Sequence, residues 1–333
     1  MILPVPRGPL SSGLVAFLSG AASELDPGPL DDLDPLVDDD LHLALFCAHQ
    51  LYFGGIEGVD DELEWDPTLI AFRTELESAI LRALIEELGE PRSIDPQQVP
   101  AAIFAEVEAD DGPPLSRFLE RRATVDQFRE FVIQRSAYQL MEADPHTFAL
   151  PRIDGPAKAA LVEIQADEYG GGRYERMHSR MFAVTMRELG LDSTYGAYVG
   201  LLPGTTLATV NLISLFGLRR RWRGALVGHL AGFEITSPSP NRRYATGLRR
   251  LGFGAPATEF YDEHVEADSV HENIAAYDLA GGLARQDPQL AGQIIFGLRA
   301  LLLCERSFAG HILERFEAGA TSLIEPLLEP IAA

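Results

Sequence analysis

With 50 acidic side chains against 27 basic ones, the 333-residue chain carries a formal charge of −23, the wrong sign for neutralising nucleic-acid phosphates or coating an anionic membrane. Apolar residues make up 46% and charged residues 23%, so a large core can be buried and the chain reads as an ordinary globular protein. Small molecules and other proteins remain as partners.

Residues 1–40 are rich in Pro, Gly and Asp, end in Asp38-Asp39-Asp40, and read as a partly ordered leader. Pro4, Pro6 and Pro9 with the single cation Arg7, followed by a short apolar patch from Gly13 to Leu18, do not compose a signal or transit peptide. Cys47 and Cys304, the only cysteines, each sit in an apolar run with helical patterning, so the expectation is free thiols and a cytoplasmic setting. The longest apolar run, Gly292 to Cys304, is interrupted by Arg299 and falls short of the roughly 20 residues that span a bilayer.

Beyond residue 40 almost every segment carries helical periodicity. Leu41 to Phe53 has apolar residues at 43, 44, 47, 48 and 51; Pro67 to Leu88 repeats the spacing, with Asp66 placed to cap it and Gly89 to stop it. Similar patterns predict helices over 124–143, 156–169, 174–189, 205–235, 239–251, 256–285 and 288–316, and no segment alternates with the two-residue period of a strand. The expected fold is all-α. Pro-containing breaks at 91–99 and 111–114 divide an N-terminal helical segment, 41–112, from a larger bundle, 113–333.

In a helical bundle, metal sites are built from side chains that face inward from neighbouring helices. The run from His264 to His271 reads H-x-x-x-D-x-x-H, and offsets of four and seven residues return to nearly one helical angle. His264, Asp268 and His271 therefore form one stripe, a mixed imidazole and carboxylate set of the kind iron and manganese accept. The same letters, beside Asp262, Glu263, Glu266 and Glu272, also fit a solvated acidic face.

Upstream, a helix carrying Glu168 runs into Gly170-Gly171-Gly172 before a new helix begins near His178. Three glycines cost a helix about 1 kcal/mol each relative to alanine, so the break has a use, and aiming Glu168 and His178 at one point is such a use. A plain turn with two exposed polar residues is the other reading. Glu175 and His178 form a Glu-x-x-His pair as well, which leaves Glu168 and Glu175 as rival carboxylates. Glu234 ends a strongly apolar helix, where a buried acid has to be paired, protonated or metal-bound.

Taken together, Asp167-Glu168-Tyr169 with the glycines and His178, then Glu234, then His264-x3-Asp268-x2-His271, resemble the heme-oxygenase-like di-iron oxidases and oxygenases, often labelled iron-containing redox enzymes. The resemblance covers about 120–316. It implies that residues 113–333 form a heme-oxygenase-like di-iron domain. It also implies that Glu168, His178, Glu234, His264, Asp268 and His271 are metal ligands, holding two iron ions that cycle between Fe(II) and Fe(III) with dioxygen as co-substrate. The ten-residue interval from Glu168 to His178 is similar to that of the N-oxygenating branch, and some of its members carry a further upstream glutamate, for which Glu142 is the candidate.

The expectation is thus a non-heme di-iron oxygenase that N-oxygenates an amine or amino-acid-like metabolite. A separate electron donor would be needed. Oxidative C–C cleavage or decarboxylation on the same core, a metal-binding or structural protein without catalysis, and a heme protein are the alternatives. A homodimer through the N-terminal segment is a further expectation. His42 and His49, seven apart, read as ordinary buried or half-exposed histidines; His146, His229 and His311 have no partners at ligand spacing. The arginines at 219–223 and 242–250 either balance the acidic surface or hold a substrate carboxylate. Tyr138, Tyr169, Phe233 and Tyr261 flank the candidate ligands and are expected to support the pocket.

Overall fold

Side-chain caps set where the first long helices begin. In the computed structural model, which describes residues 1–327 except for the side chains of 267–270, Asp38 accepts hydrogen bonds from the amides of Asp40 and Leu41. Asp66 does the same for Thr68 and Leu69, and Thr124 and Gln127 cap each other's backbone reciprocally. The helices are α1 (Pro9–Leu18), α2 (Asp39–Gln50), α3 (Pro67–Leu88), α4 (Val99–Ala109), α5 (Leu115–Arg121) and α6 (Val125–Gln139). They continue as α7 (Asp144–Thr147), α8 (Gly155–Glu168), α9 (His178–Glu188), α10 (Gly204–Leu218) and α11 (Arg223–Thr236). The last are α12 (Pro238–Arg250), α13 (Ala255–Asn273), α14 (Gly281–Gln286) and α15 (Ala291–Glu317). Among the described residues every regular element is helical, so the fold is all-α, and no helix is long and apolar enough to cross a membrane.

At the centre, α10 is buried on nearly all sides between α2 and α15, and α11 lies along α15. The α11–α15 contact is close enough to need glycine: a Cβ on Gly228 would overlap the Ile294 carbonyl, and one on Gly297 the Ala225 carbonyl. Helices α12 and α13 pack on α11, with α9 against α13, and the segment that follows α13 packs on both α8 and α11.

Three features depart from the sequence reading. The expected leader contains α1, whose Leu10, Leu14 and Leu18 are buried against α2, and Asp40 accepts from the amides of Leu10 (2.8 Å) and Ser11 (2.9 Å). Proline at the first turn of a helix is tolerated, so composition alone hides this element. The 112/113 boundary does not divide the core, because α2 packs on α10 and both α3 and α4 pack on α15. Finally, the run 205–235 breaks after Leu218, where Arg219 turns out to pair with the buried Glu77 and Trp222 stacks on Phe296 at 5.6 Å.

Several histidines are sealed inside as neutral rings. His49 lies 3.0 Å from Glu77 and 3.2 Å from Asn211, which also donates to the His42 carbonyl; His146 and His229 face each other at 3.1 Å. Burial pushes His42 and His146 down to about 4 and His229 well below its ordinary value. Unfolded histidines take up protons below about pH 6.5, so the unfolded chain binds more protons than the fold between that pH and about 4. Stability should therefore fall as pH drops through this window, His42 and His146 each accounting for about 2 kcal/mol at pH 5. Urea unfolding at pH 7 and pH 5 measures it, and a His146→Asn variant should lose about 2 kcal/mol less over the same interval.

Candidate metal centre

Glu168 is the last residue of α8, and the three glycines after it all adopt positive φ, between +60° and +77°. At Gly170 a Cβ would stand 2.5 Å from the Arg176 carbonyl carbon, so only glycine lets the chain fold back this tightly. The reversal starts α9 at His178 and brings its Nδ1 to 3.0 Å from Glu168 Oε2. Glu142 follows the end of α6, Glu234 sits in the last turns of α11, and α13 supplies His264 and His271.

These six residues are all buried and fall into two donor groups. Glu142, Glu168, His178 and His264 each offer an atom within 4.8 Å of the others; Glu168, Glu234 and His271 do the same, so Glu168 belongs to both. His264 Nε2 lies 3.8 Å from Glu142, and His271 Nδ1 lies 3.3 Å from Glu234. Asp268 is on α13 between the two histidines, but its side chain lies outside the described residues. Glu175 is not brought in: it is exposed and stands 3.6 Å from Arg180. Its Glu-x-x-His spacing presumes one helix, whereas Tyr174–Arg176 is a separate 3-10 turn and Met177 is extended.

The histidines are held from behind. His264 Nδ1 is 2.7 Å from the Phe260 carbonyl, which places the proton there and turns Nε2 toward the carboxylates. His271 Nε2 meets Asp167 at 3.0 Å, leaving Nδ1 to face Glu234. Asp167 was legible only as part of the run before the glycines; its role depends on α13 arriving beside α8, for which no spacing gives a signal.

Electrostatics shows what the cluster lacks. Burial favours the neutral acid at Glu168, but the charges of His178, His264 and His271 outweigh it and hold the carboxyl at about 2. Burial disfavours charge on His271, yet Glu234, then Asp167 and Glu168, lift it to about 9; His178 is raised by Glu168 against the same penalty. Protonated imidazoles are thus drawn in to balance buried carboxylates. Glu142 Oε2, Glu168 Oε2 and His178 Nδ1 are buried without an aligned hydrogen bond among the described residues, although the last two face each other. Buried anions and orphaned donor atoms of mixed imidazole and carboxylate type fit a bound cation, and iron suits the set.

A cavity of about 300 Å³ opens onto the cluster, with Glu142, Glu168, Glu234 and His264 in its inner wall beside Tyr138 and Phe233. Tyr138 and Phe233 pack with ring centroids 5.3 Å apart. Tyr169 instead hydrogen-bonds Asp144 (2.7 Å) and Thr147 (2.9 Å), and Tyr261 packs on Tyr244, so both support the site from outside the cavity. The arginines of both clusters mostly tie elements together: Arg223 to Asp287, Arg243 to Ser116, Arg249 to Asp262 and Arg250 to the carbonyls of Leu119 and Ala123.

The sequence profile of the family described as iron-containing redox enzyme matches residues 129–306, a span that contains both donor groups. The chain is also similar to nitrosourea synthase from Streptomyces achromogenes subsp. streptozoticus, 26% identical over 147 residues. That alignment takes in 44% of this chain and 31% of the relative, so the chain spans under a third of the relative's length.

Asp167→Ala is expected to weaken ferrous-iron affinity about 10- to 100-fold, the usual cost of losing an outer acceptor behind a ligating histidine. Glu175→Ala should leave the affinity unchanged. Anaerobic iron titrations of the two variants make the comparison, and equal affinities would show that the Asp167 contact does not orient His271.

Proposed function

The chain belongs to the iron-containing redox enzyme family, and from that premise we propose that it is a non-heme di-iron oxygenase acting with dioxygen on the nitrogen of an amine or amino-acid-like metabolite. The observation that supports this reading is the sharing of Glu168 between two buried donor groups, each of which could hold an ion. Glu142, His178 and His264 would complete one position, Glu234 and His271 the other, with Glu168 common to both and Asp268 a further candidate from the same helix.

Two ferrous ions held there would supply the electrons that dioxygen activation needs. The protein's own residues do the rest. The Phe260 carbonyl and Asp167 fix the proton-bearing nitrogens of His264 and His271 away from the donor positions. Tyr138 and Phe233 close the inner cavity against water, and the cavity orients a substrate toward the cluster. The similarity to a protein named for making a nitrosourea, a product bearing an oxidised nitrogen, favours nitrogen over carbon as the reacting atom. A separate electron donor would return the centre to the ferrous state.

Metal analysis after anaerobic ferrous reconstitution should find about two iron ions per chain, falling by at least one in His264→Ala. Admission of oxygen with a panel of amines and fatty acids should yield an amine product heavier by oxygen. A shortened fatty acid would instead identify carbon–carbon cleavage, and iron oxidation indifferent to every organic compound would identify a metal-storing protein.

A further inference from the structure

Where α10 gives way to α11, four arginines stand within five residues: Arg219, Arg220, Arg221 and Arg223. Two of them have acidic partners, Arg219 in the buried Glu77 and Arg223 in Asp287 at 2.9 Å. A fifth, Arg152, donates to the carbonyls of Gly217 and Leu218 and so already serves the open end of α10. Arg220 and Arg221 have neither task. Both are exposed, and among the described residues neither meets a carboxylate; Arg221 lies over the Trp222 ring, 5.3 Å from its centroid. Arg220 is also close enough to Arg152 for its charge to add to burial in depressing that guanidinium.

Five cations thus stand against two acids on one face of a chain whose formal charge is −23. Arg73, which shares Glu77 and lies over the Tyr52 ring, bounds this face, and the acidic turn Asp61–Trp65 begins beyond it. A negatively charged protein is repelled by most of the molecule and attracted here, so its approach is steered to a single place. A nucleic acid shares the sign of charge but needs a run of contacts along its backbone, which the acidic turn cuts short.

The same face stands at one end of a direct route to the donor cluster. Helix α11 starts at Arg223 and carries Glu234 about 17 Å further on, at 1.5 Å per residue, and residues 224–232 between them are all buried. Aromatic rings accompany the helix. Trp222 stacks on Phe296 at 5.6 Å, His229 packs on Phe233 at 4.6 Å, and Phe233 meets Tyr138 at 5.3 Å in the wall of the cavity over the cluster.

We propose that this arginine face is the docking surface for an acidic one-electron carrier protein, which delivers electrons to the donor cluster along α11. The proposal rests on the di-iron reading above, under which a ferric pair has to be returned to the ferrous state. Each encounter oxidises the carrier's centre by one electron and reduces one ferric ion to ferrous, so two encounters restore the pair. Arg220 and Arg221 hold the carrier and touch no reacting atom.

A plant-type ferredoxin of net negative charge, with a two-iron, two-sulfur cluster, is the probe. Calorimetric titration of the oxidised ferredoxin into the metal-free protein reads docking apart from iron, and affinity should fall about tenfold or more between about 20 and about 200 mM salt. Arg220→Glu combined with Arg221→Glu should weaken docking by about tenfold or more. Arg121→Glu, at an exposed arginine near the far end of α15, should leave it as it was. In the iron-loaded, air-oxidised protein, reduction by reduced ferredoxin should slow about tenfold in the double variant, while reduction by dithionite keeps its rate. Unchanged docking in the double variant, an equal loss in Arg121→Glu, or lost docking with undiminished reduction by ferredoxin would each overturn the proposal. Tighter binding of a single-stranded oligonucleotide than of ferredoxin would do the same. Absence of iron uptake by the unaltered protein would instead strike the di-iron reading, on which the docking titration does not depend.

Discussion

Three carboxylates, Glu142, Glu168 and Glu234, are buried in one small volume, and the structure around them is organised by the need to balance their charge. Anions withdrawn from water carry a large solvation penalty unless cations or several hydrogen bonds replace the lost water. The fold brings imidazoles, whose charge is adjustable, to each of them: His178 lies 3.0 Å from Glu168, His264 3.8 Å from Glu142 and His271 3.3 Å from Glu234. The consequence is visible in opposite directions on the two partners, Glu168 drawn down to about 2 and His271 up to about 9. Protons occupy the balancing role there, and metal ions would take it over by displacing them, which couples occupancy to pH.

How far this could be read from the chain varies with how local each relation is. His264 and His271 were legible because helical geometry repeats every 3.6 residues, and α13 is a helix across both. Glu168 and His178 were legible through the glycines, since only a required reversal justifies three of them. Glu175 failed as a rival because the i, i+3 rule holds inside a helix, and residues 174–177 are not one. Glu142 lies past the end of α6, where no periodicity applies, so only resemblance to a family pointed to it. Asp167 was invisible in role, because its contact with His271 joins residues 104 apart in the chain. At the N-terminus, Pro, Gly and Asp suggested loose chain, yet α1 needed only three leucines at helical spacing to bury itself.

The place of Glu234 follows from packing with no chemistry of its own. Gly228 and Gly297 let the backbones of α11 and α15 nearly touch, and no side chain could be added at either without prising them apart. That contact seats the end of α11 over the cluster and presents Leu301 and Glu305 of α15 to the cavity. A single close crossing thus sets a donor and the outer wall together. Enlarging either glycine would displace both, so a disturbed donor and a reshaped cavity at this crossing would have one cause.

The stretch after His271 shows a related economy. Ile274–Ala280 is wound as a π-helix, which inserts a residue into the turn and rotates everything beyond it. Had α13 continued at 3.6 residues per turn, the face carrying His264 and His271 would also have had to serve as the packing face for the segment that follows. The wider turn separates the two demands. Ahead of it the helix points imidazoles at carboxylates; within it Ala275, Ala276, Leu279 and Ala280 bury against α8 and α11. Since α8 ends in Glu168 and α11 ends near Glu234, this small-residue contact ties the helix of two donor histidines to the helices of two donor acids. The alanines are as much a condition of the site's geometry as the ligand-type residues, because bulkier side chains there would hold the three helices too far apart for Glu168 to belong to both donor groups.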